Sequence, residues 1–323
     1  MNPELVEVIS NRANAGIDPH LHVWGWEIPA YLFVGGVVAG LMILLAALEM
    51  RHKERPQSAA AQWMPIVAVV LLSLGMLFLF LDLANKEHVY RFYTTFRPTS
   101  PMSWGSWILL LVYPALLLMF VSGLSAERRE WLLGIKPVTA LRLGGLVRWA
   151  MGFGDRHRRK ILWTTLGAGV GLGAYTGLLL GTMVARPQWN NAIMAPLFLT
   201  SGISTGAAVM LLSRLTKKEA QTLVRWDITA IAVELALLVV MLLGLSSGNV
   251  FSQEAAASFL GGPYTASFWS LVVIAGLVVP LTLNVLEVKR HTPMTLYAPV
   301  LVLFGGLALR AILVTAGQAS GLH

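Results

Sequence analysis

Eight long apolar runs are the feature that most limits what this chain can fold into. About 20 apolar residues in a helix, at about 1.5 Å per residue, cross a hydrocarbon core of about 30 Å. A bilayer admits only helices and closed barrels, and these runs are too long for barrel strands. The sequence, 56% hydrophobic and only 12% charged, therefore predicts an all-α integral membrane protein with eight transmembrane helices. The runs are residues 28–49, 62–84, 104–124, 162–185, 189–213, 226–247, 266–287 and 296–316.

The distribution of lysine and arginine predicts how the helices are oriented. If residues 1–27 lie outside, the inner loops carry 18 basic residues and the outer segments carry five. This bias is typical of the cytoplasmic side, so both the N-terminal segment and the C-terminal tail, residues 317–323, are expected to be extracytoplasmic. Residues 1–27 lack the pattern of a cleavable signal peptide, and the first helix is expected to insert uncleaved. Nucleic-acid binding is a rival explanation for the net charge of +8, but the basic residues are divided among four loops rather than gathered in one patch.

An internal repeat predicts how the helices are grouped. The stretch LFVGGVVAG aligns without gaps on FLTSGISTG, which places Gly36 over Gly202 and Gly40 over Gly206. The G-x-x-x-G spacing puts both glycines of each copy on one helix face, where backbones can approach closely. Both copies start outside, so we interpret the halves as parallel repeats about an axis along the membrane normal. The prediction is two side-by-side four-helix bundles, formed by residues 28–185 and 189–316.

The longest inner loop, residues 125–161, lies within the first half. Its stretch TALRLGGLVRWAMGF mixes Arg142 and Arg148 with apolar residues. Two interpretations stand with equal weight. The stretch is either a short helix lying along the inner membrane surface or a basic loop that only determines topology.

The missing residue types limit the redox groups that this protein can hold. It has no cysteine, which excludes iron–sulfur clusters, covalently attached haem and disulfides. A b-type haem needs histidines facing one another inside helices, and all seven histidines lie outside the predicted spans. We therefore expect no haem, no iron–sulfur cluster and no metal in this chain. If the protein takes part in electron transfer, the redox centres belong to a partner, and only a diffusible carrier can bind to this chain.

Polar residues gather where several helices are predicted to reach the outer surface. In HLHVWGWEIPAYLFVGG, Glu27 lies at the outer end of the first helix, and Tyr31 lies one turn deeper on the same face. Asp82 closes the second helix on that side, and Tyr175 lies in the outer half of the fourth. A plain membrane anchor would need only the tryptophans of this stretch, so the set indicates a polar site. The alternative for Glu27 is stabilisation of the first helical turn through the helix dipole.

Two ionisable residues, Glu234 and Arg310, are predicted within the sixth and eighth spans. Charges at the bilayer centre cost about 2.5–3.5 kcal/mol on insertion scales and usually mark a site or a relay. The helical rise places the two at different depths, so a direct ion pair is not expected. Together with Asp82 they are candidates for a proton relay. For Arg310, an equally weighted alternative is that its long side chain extends to the outer surface.

The most specific motif is the outer loop RFYTTFRPTSPMSWGSW, between the second and third helices. Pro98 and Pro101 interrupt a regular helix, and Arg91 and Arg97 place positive charge on the side where basic residues are scarce. Ser100 and Ser103 are the residues that can cap the third helix at its start. The loop is interpreted as the roof of a pocket or a docking surface, with an ordinary stiff connector as the alternative. Its candidate docking residues are Arg91, Arg97, Ser100 and Trp104.

Three stretches, WGWEIPAYLFVGGVVAG, RPTSPMSWGSW and APLFLTSGISTG, resemble the NrfD/PsrC family of polysulfide-reductase-type membrane subunits. The similarity covers essentially the whole chain, and the loop motif is the most specific of the three. The resemblance implies a haem-free subunit of the bacterial or archaeal cytoplasmic membrane that binds menaquinone or ubiquinone near the outer face. It also implies two partners, namely a four-cluster ferredoxin-like iron–sulfur subunit docked there and a catalytic subunit that is often molybdopterin-dependent.

The resemblance also suggests roles for individual residues. Quinone sites of the family use polar residues at the outer end of the first helix and a tyrosine in the fourth. By position, Glu27 and Tyr31 are therefore candidate catalytic residues, and Tyr175 is the candidate for the tyrosine. His22 would add a polar contact, and Trp24 and Trp26 would wall the slot for the quinone. A buried carboxyl has a raised proton affinity, which would suit Glu27 to accept a proton from quinol.

The function expected from these observations is that of the quinone-binding membrane subunit of a respiratory oxidoreductase, which exchanges electrons with an iron–sulfur subunit. The parallel repeat and Glu234 suggest an alternative, a transporter or proton-translocating subunit without quinone chemistry of its own. Transporters usually have paired broken helices at the membrane midplane, and the sequence has no strong paired breaks. A purely structural anchor is the third hypothesis.

Overall fold

The computed structural model describes residues 24–52, 58–83, 85–290 and 295–320. The regular structure in these ranges is helical. The helices are α1 (Glu27–His52), α2 (Ala59–Asp82), α3 (Arg91–Thr94), α4 (Pro101–Gly123), α5 (Ala126–Gly134), α6 (Lys136–Ala140), α7 (Gly144–Arg156), α8 (Arg158–Gly181), α9 (Met194–Leu211), α10 (Lys217–Ser246), α11 (Val250–Ala257), α12 (Thr265–Ser267), α13 (Val279–Arg290) and α14 (Tyr297–Ala319). A 3₁₀ turn, Lys86–His88, precedes α3. A π-helical segment, Phe268–Val278, joins α12 to α13.

Seven helices in the described ranges are long and apolar enough to cross a membrane. They correspond to seven of the eight predicted spans, and the exception is the run 162–185. The helix at that position, α8, has 24 residues and is long enough at about 1.5 Å per residue. It begins with three basic residues and contains six glycines, which lowers its mean hydropathy. The crossing of the membrane by α8 therefore stays a prediction.

Several helices begin a few residues away from the predicted positions, and three of these shifts have a clear local reason. α4 begins at Pro101 rather than three residues later, because proline is well accepted at the first helical position. α9 begins at Met194, five residues later than expected, because a series of turns precedes it. α10 begins at Lys217, nine residues early, because Thr216 and Glu219 form a reciprocal capping box at its start.

α1 is the central helix of the described structure. It packs against α2 and α8 from its own half of the chain and against α9 and α14 from the other half. α4 completes the contacts of α2 and α8, and α10 packs along α9. The described residues form two large apolar cores. The first contains side chains from the first turns of α1 and mainly from helices of the second half, and the second contains side chains from the remainder of α1 and mainly from helices of the first half. The start of α1 thus lies where both halves meet.

α1 and α9 cross backbone to backbone at the four glycines aligned by the sequence repeat. A Cβ atom on Gly202 would lie 2.8 Å from the carbonyl oxygen of Gly36, and one on Gly206 would lie 2.6 Å from the carbonyl carbon of Gly40. A Cβ on Gly40 would overlap the carbonyl of Gly202. No larger residue fits at this crossing unless the helices separate, which is the close approach that the G-x-x-x-G spacing predicts.

The rod formed by residues 265–290 carries the π-helical segment in its middle. Pro280 lacks an N–H group and its ring crowds the carbonyl of residue 276, which accounts for widened turns directly before it. Gly276 there faces Gly305 of α14, and a Cβ on Gly276 would lie 2.5 Å from the Gly305 Cα. A second glycine contact therefore holds this rod against the last helix.

The predicted inner loop 125–161 is largely helical, since α5, α6 and α7 lie within it. α7 leaves Leu146 and Trp149 exposed on one side and packs against α4 on the other. The helix required by the first interpretation of this loop is therefore present, and its contact with a membrane surface stays a prediction. We call this end of the molecule, where α1 ends and α8 begins, the basic end. The opposite end, which carries residue 24, the segment 85–100 and the turns 182–193, is called the mouth end.

A buried ion pair joins three helices at the basic end. The Arg158 Nε donates to the Glu49 Oε1 at 2.6 Å, and the same guanidinium also donates to the Ser122 hydroxyl. These residues belong to α8, α1 and α4 respectively, and the Glu49 side chain is almost fully buried. The pair therefore fixes how the first-half helices meet far from the mouth end.

Candidate functional site

A cleft of about 80 Å³ lies at the mouth end between α1, α2, α4 and α8, with the segment after α2 over it. Its walls are mostly aliphatic and aromatic side chains, namely Met76, Leu79, Phe80, Leu83, Val89, Phe92, Met102 and Leu109. Its polar side chains are three tyrosines and a serine, Tyr31, Tyr93, Tyr175 and Ser106. The cleft is therefore an apolar slot with a few hydroxyl groups, a composition typical of small-molecule sites.

Tyr31 and Tyr175 are the two predicted site residues that the structure brings together in this cleft. Tyr31 comes from the second turn of α1 and Tyr175 from α8, and each is only 6% exposed. The Tyr175 phenol packs over Gly105 of α4, where a Cβ atom would overlap both its ring and its hydroxyl. The missing side chain at Gly105 thus makes the room that the Tyr175 ring occupies.

Tyr93, on the one-turn helix α3, is the third tyrosine of the cleft. Burial raises the pKa of its hydroxyl, and the nearby Tyr113 raises it further, so the phenol is protonated at neutral pH and able to donate. Among the residues that the structure describes, none forms a hydrogen bond with the hydroxyls of Tyr31, Tyr93 or Tyr175. The sequence reasoning missed Tyr93, although it lies inside the quoted loop motif among other aromatic residues.

A second cavity of about 480 Å³, which we call the vestibule, adjoins the cleft. Leu83, Phe92 and Met102 line both cavities, which places the two cavities side by side. The remaining lining of the vestibule is polar or cationic and consists of Asn85, His88, Arg91, Thr95, Arg97, Ser100 and Ser103. Three of the predicted docking residues, Arg91, Arg97 and Ser100, thus line one cavity next to the tyrosines.

Two side-chain hydrogen bonds hold the loop motif over the cleft. The fourth predicted docking residue, Trp104, donates from its Nε1 to the carbonyl of Pro98 at 2.7 Å. The Ser106 hydroxyl donates to the carbonyl of Phe92 at 2.6 Å. Trp104 therefore braces the loop from α4 and does not itself line the vestibule.

The expectation that the Ser100 side chain caps the third long helix is wrong. Ser100 occupies the N-cap position of α4, but its side chain forms no capping hydrogen bond. The N–H of Ser103 is taken instead by the Ser100 backbone carbonyl at 3.0 Å. The Ser103 hydroxyl accepts from the N–H of Arg97 at 3.0 Å, so this serine fastens the loop rather than the helix end.

The other predicted residues of the mouth lie around the cleft rather than in it. Glu27 begins α1, is partly exposed, and stands one turn before Tyr31, but it is not among the described residues that line the cleft. The Trp24 ring stacks on Trp189, with centroids 5.2 Å apart, and the backbone N–H of Trp24 donates to the Gln318 Oε1 at 2.7 Å. Trp24 therefore packs against the turns after α8 and the end of α14. Trp24 was expected to wall the site, but the cleft is walled instead by apolar side chains that include those of α2 and of the segment 85–100.

Three further residues complete the comparison with the expected mouth. His22 lies outside the described residues. Trp26 is 62% exposed and meets Phe78 of α2 edge to face, with centroids 5.5 Å apart. Asp82 is the last residue of α2, directly before Leu83 of the cleft. The acidic end of α2 thus lies beside the cleft, as the sequence indicated.

Glu234 and Arg310 belong to a buried polar network outside the cleft. Arg310 is 0% exposed, so the interpretation that its side chain reaches the surface is wrong. Its guanidinium donates to the carbonyls of Leu32 at 3.2 Å and Gly306 at 2.8 Å, and to the Ser201 hydroxyl at 3.0 Å. The Ser201 hydroxyl also interacts with the buried Glu234 carboxyl. The two ionisable residues are therefore connected through a serine of α9.

Asp227, which the sequence reasoning missed, extends this network. It lies seven residues before Glu234, which is two turns away on the same face of α10. Its carboxylate accepts from the Ser204 hydroxyl at 2.6 Å and from the Asn284 side-chain amide at 2.7 Å. Ser201 and Ser204 are one turn apart on α9, so the two serines lie beside both acidic residues. The sequence does contain an indication of Asp227, because two acidic residues seven positions apart in one apolar helix lie on the same face.

In the ranges that the structure describes, no three histidine, aspartate or glutamate side chains are grouped in a way that could hold a metal ion. The side chains of the cleft offer hydrogen bonding, flat apolar surfaces and, in the nearby carboxyls, groups able to exchange protons. This chemistry suits a flat organic molecule with oxygen substituents.

Comparisons with known proteins extend over nearly the whole sequence. The family model described as polysulphide reductase, NrfD, matches residues 16–320. The protein NrfD of Escherichia coli (strain K12) is 32% identical over 312 residues, which are 92% of this chain and 95% of that protein. The polysulfide reductase C subunit of Wolinella succinogenes is 28% identical over 309 residues, 92% of this chain and 94% of that protein. The NrfD homolog of Haemophilus influenzae is 26% identical over 310 residues, with the same two shares.

Proposed function

The chain belongs to the polysulphide reductase NrfD family, and on that premise we propose that it is the quinone-reactive membrane subunit of a respiratory oxidoreductase complex. A quinol oxidised in the cleft becomes the quinone and gives up two electrons and two protons, and the reverse reaction takes up the same numbers. The electrons pass to or from an iron–sulfur partner subunit, and the protons pass to or from polar groups of this protein. The quinone is a menaquinone or a ubiquinone.

The single observation that carries this proposal is the set of three tyrosine hydroxyls in an apolar cleft. A quinone ring is flat and largely apolar and has two opposed carbonyl oxygens, so it needs an apolar slot and hydrogen-bond donors at both ends. Tyr31, Tyr93 and Tyr175 supply hydroxyls that no described residue engages. A phenol donates to a carbonyl and accepts from a quinol hydroxyl, so the same three groups fit both redox forms.

Protons leave the ring at the mouth end in this proposal. Glu27 is partly exposed and one turn of α1 away from Tyr31, so it can exchange a proton between the Tyr31 hydroxyl, or a water beside it, and the surrounding solvent. Asp82, at the end of α2, is a second acceptor. His22 precedes the described part of α1 and is a further candidate for a polar contact to the quinone.

The vestibule is the proposed docking surface for the iron–sulfur subunit. Arg91, Arg97 and His88 line it, and a partner surface rich in carboxylates would complement them. Leu83, Phe92 and Met102 line both the vestibule and the cleft, so electrons would pass between the two cavities beside these side chains. A ferredoxin-like subunit with four clusters fits this role, and a molybdopterin-dependent catalytic subunit would bind it in turn. The similar Wolinella succinogenes protein is by its name one part of a reductase, which supports a complex of several subunits.

A second function, proton transfer through the membrane, is favoured by the buried polar network. The network runs from Asp227 along Ser204 and Ser201 to Glu234 and Arg310. Arg310 donates to the carbonyl of Leu32, the residue that follows Tyr31, so this polar network ends next to the cleft. In complex reconstituted into liposomes, Glu234→Gln should retain quinol oxidation and lose proton movement. Unchanged proton movement in that variant would remove the network from this role.

We place the mouth end on the extracytoplasmic side of a bacterial or archaeal cytoplasmic membrane, with both termini there, because basic residues concentrate at the opposite end. We also propose that α8 is the eighth span and that residues 28–185 and 189–316 form two four-helix bundles. The length of α8 and its packing against α1, α4 and α9 support this architecture.

The test of the quinone site uses the purified complex with its partner subunits. Tyr31→Phe and Tyr175→Phe each remove one hydroxyl and keep the ring, and each should lower kcat/KM for quinol oxidation by about 5- to 100-fold, the value of one hydrogen bond to a reacting group. Tyr297→Phe is the matched control, because Tyr297 at the start of α14 is 74% exposed and does not line the cleft. Full activity in the Tyr31→Phe/Tyr175→Phe double variant would overturn the proposal.

A further inference from the structure

The helix α7, at the basic end, has three sides of different composition, and the proposed function uses none of them. One side packs on the bundle, since Met151 is buried and a Cβ atom on Gly154 would overlap the Ser122 Cβ of α4. Ser122 belongs to the last turn of α4, which is one of the helices able to cross a membrane. Because a span ends where the hydrocarbon core ends, this contact places α7 at the level of the membrane surface.

The second side of α7 is an exposed apolar ridge formed by Leu146, Trp149 and Phe153. Leu146 and Trp149 are 61% and 59% exposed, and the Trp149 ring stacks on the Phe153 ring with centroids 5.5 Å apart. The three residues follow one another at intervals of three and four, so they lie on one face of the helix. An exposed apolar surface of this kind marks contact with a membrane or with another protein.

The third side of α7 and the residues that flank the helix carry positive charge. Asp155 is the only acidic residue between positions 141 and 160, and it accepts two hydrogen bonds from Arg129, at 2.7 and 2.8 Å. Arg158 forms the buried pair with Glu49. The remaining lysine and arginine residues of this stretch are all exposed, namely Arg142, Arg148, Arg156, Arg159 and Lys160. The surface therefore combines an apolar ridge with a surplus of positive charge, and its complement is an apolar layer with a negatively charged border.

Tryptophans of neighbouring helices lie at the same end of the molecule as the ridge. Trp131 of α5 and Trp163 of α8 are 55% and 56% exposed. The Trp131 ring meets the Trp63 ring of α2 edge to face, with centroids 5.7 Å apart. Tryptophan side chains gather at the level of the lipid headgroups, where the ring has both apolar and polar neighbours. Their presence around α7 favours lipid over protein as the partner of the ridge.

We propose that α7 docks on the membrane leaflet at the basic end and binds anionic phospholipids there. The ridge enters the boundary between headgroups and acyl chains, and Arg142 and Arg148 contact the lipid phosphates. A soluble acidic protein would complement the charges, but it would not account for a ridge placed at the level where the spans end. This inference is independent of the quinone chemistry, so it can fail while the proposed function holds, and the reverse.

The first measurement locates the ridge relative to the bilayer. The full chain has no cysteine, so a nitroxide attached to Leu146→Cys reports on this position alone in vesicles of phosphatidylcholine mixed with phosphatidylglycerol. Gly152→Cys is the matched control, because it lies on the same helix one turn from Arg148 and a Cβ there meets nothing within 4 Å. The nitroxide at 146 should be more accessible to oxygen, which dissolves in the bilayer, and the one at 152 to a water-soluble nickel complex.

The second measurement tests the preference for anionic lipid. A bimane fluorophore on Leu146→Cys of the full chain in detergent micelles should shift its emission to shorter wavelength as phosphatidylglycerol is added, and phosphatidylcholine should have less effect. Arg142→Gln/Arg148→Gln should raise the half-saturating amount of phosphatidylglycerol by about tenfold or more, since each arginine near a charged surface contributes about fivefold. Lys217→Gln/Lys218→Gln is the matched control, because it removes the same charge from exposed positions at the start of α10.

Three results would overturn the proposal. If the nickel complex reaches positions 146 and 152 equally, the ridge lies in water and not in the membrane. If neither reagent reaches position 146, another protein or a second copy of this chain covers the ridge. If phosphatidylcholine shifts the emission as strongly as phosphatidylglycerol, or if the arginine and lysine double variants behave alike, the basic residues around α7 do not select anionic lipid.

Discussion

The Arg310 Nε of the last helix donates a hydrogen bond to the carbonyl of Leu32 in the first helix, 3.2 Å away. The guanidinium also lies over the rings of Phe33 and Phe198, at 5.9 and 5.4 Å from their centroids. A cation with no exposed surface is tolerated when hydrogen bonds and aromatic faces surround it in this way. Because Leu32 follows Tyr31, the contact ties the position of a cleft residue to the last helix of the sequence.

Replacing Arg310 by methionine should destabilise the protein by about 2–4 kcal/mol, because it removes the donor to Leu32 and Ser201 and the positive charge near Glu234. Thermal unfolding of the purified complex measures the loss. The double variant Arg310→Met/Glu234→Gln should be more stable than Arg310→Met alone, since it also removes the charge left without a counter-charge. A single variant as stable as the unmodified protein would contradict this role.

Gly40→Ala should prevent normal accumulation of the folded protein, because the added Cβ would overlap the carbonyl of Gly202 and force α1 and α9 apart. Gly35→Ala on the same helix is the control, since a Cβ there meets nothing within 4 Å. The measurement is the amount of monodisperse protein extracted from membranes in detergent. Equal amounts of the two variants would show that the close crossing is not required.

Gly105→Ala should lower kcat/KM for quinol oxidation by about tenfold or more, because the new methyl group displaces the Tyr175 phenol from its place in the cleft. Gly171→Ala is the control, since its Cβ would lie 3.7 Å from the Ile108 Cδ1 in ordinary contact. Adding Tyr175→Phe to Gly105→Ala should cost little more, because the hydroxyl is already misplaced. A fully additive loss in this double variant would argue that Gly105 acts in another way.

Glu49→Gln should destabilise the protein by about 3 kcal/mol, because it removes the buried negative charge that balances the Arg158 guanidinium at the basic end. It should not change KM for quinol, since this pair lies at the end of the molecule opposite the cleft. Unfolding temperature and quinol kinetics of one preparation test both statements. A change in KM without a change in stability would be the opposite of the expected result.

Single cysteines introduced at Glu87 and Lys136 should react from opposite sides of the membrane. The unmodified protein has no cysteine, so a membrane-impermeant thiol reagent detects only the introduced residue, and both positions are exposed. We expect the Glu87→Cys protein to react in intact spheroplasts and the Lys136→Cys protein to react only after permeabilisation. The reverse labelling would invert the orientation inferred from the basic residues.

Much of the architecture follows from local properties of the sequence. Seven of the eight predicted spans coincide with long apolar helices, because the length of an apolar run and the need to satisfy backbone groups act on each segment separately. The aligned glycines of the repeat also meet as their spacing indicated, since a pair of glycines on one helix face permits a close crossing wherever it occurs. α8 was the difficult case, because its glycines serve packing and reduce the hydropathy that identifies a span.

The candidate site depended far more on tertiary structure. The positions of Tyr31 and Tyr175 indicated the end of the molecule at which the cleft lies, but only the packing of α8 over Gly105 brings Tyr175 into the same cleft as Tyr31. Tyr93 and Asp227 were missed because their importance comes from neighbours on other helices. Trp24 was expected at the cleft and packs against Trp189 instead, which no local pattern indicates.

The sequence by itself determined that this is a helical membrane protein, which end of the molecule carries the basic residues, and to which family the protein belongs. Only the tertiary structure decided which hydroxyls share a cleft, and that Arg310 is enclosed and bonded to Leu32. The physical reason is that hydropathy and charge act along the sequence, whereas a binding site depends on which faces of distant helices come into contact, and those contacts arise from packing around α1.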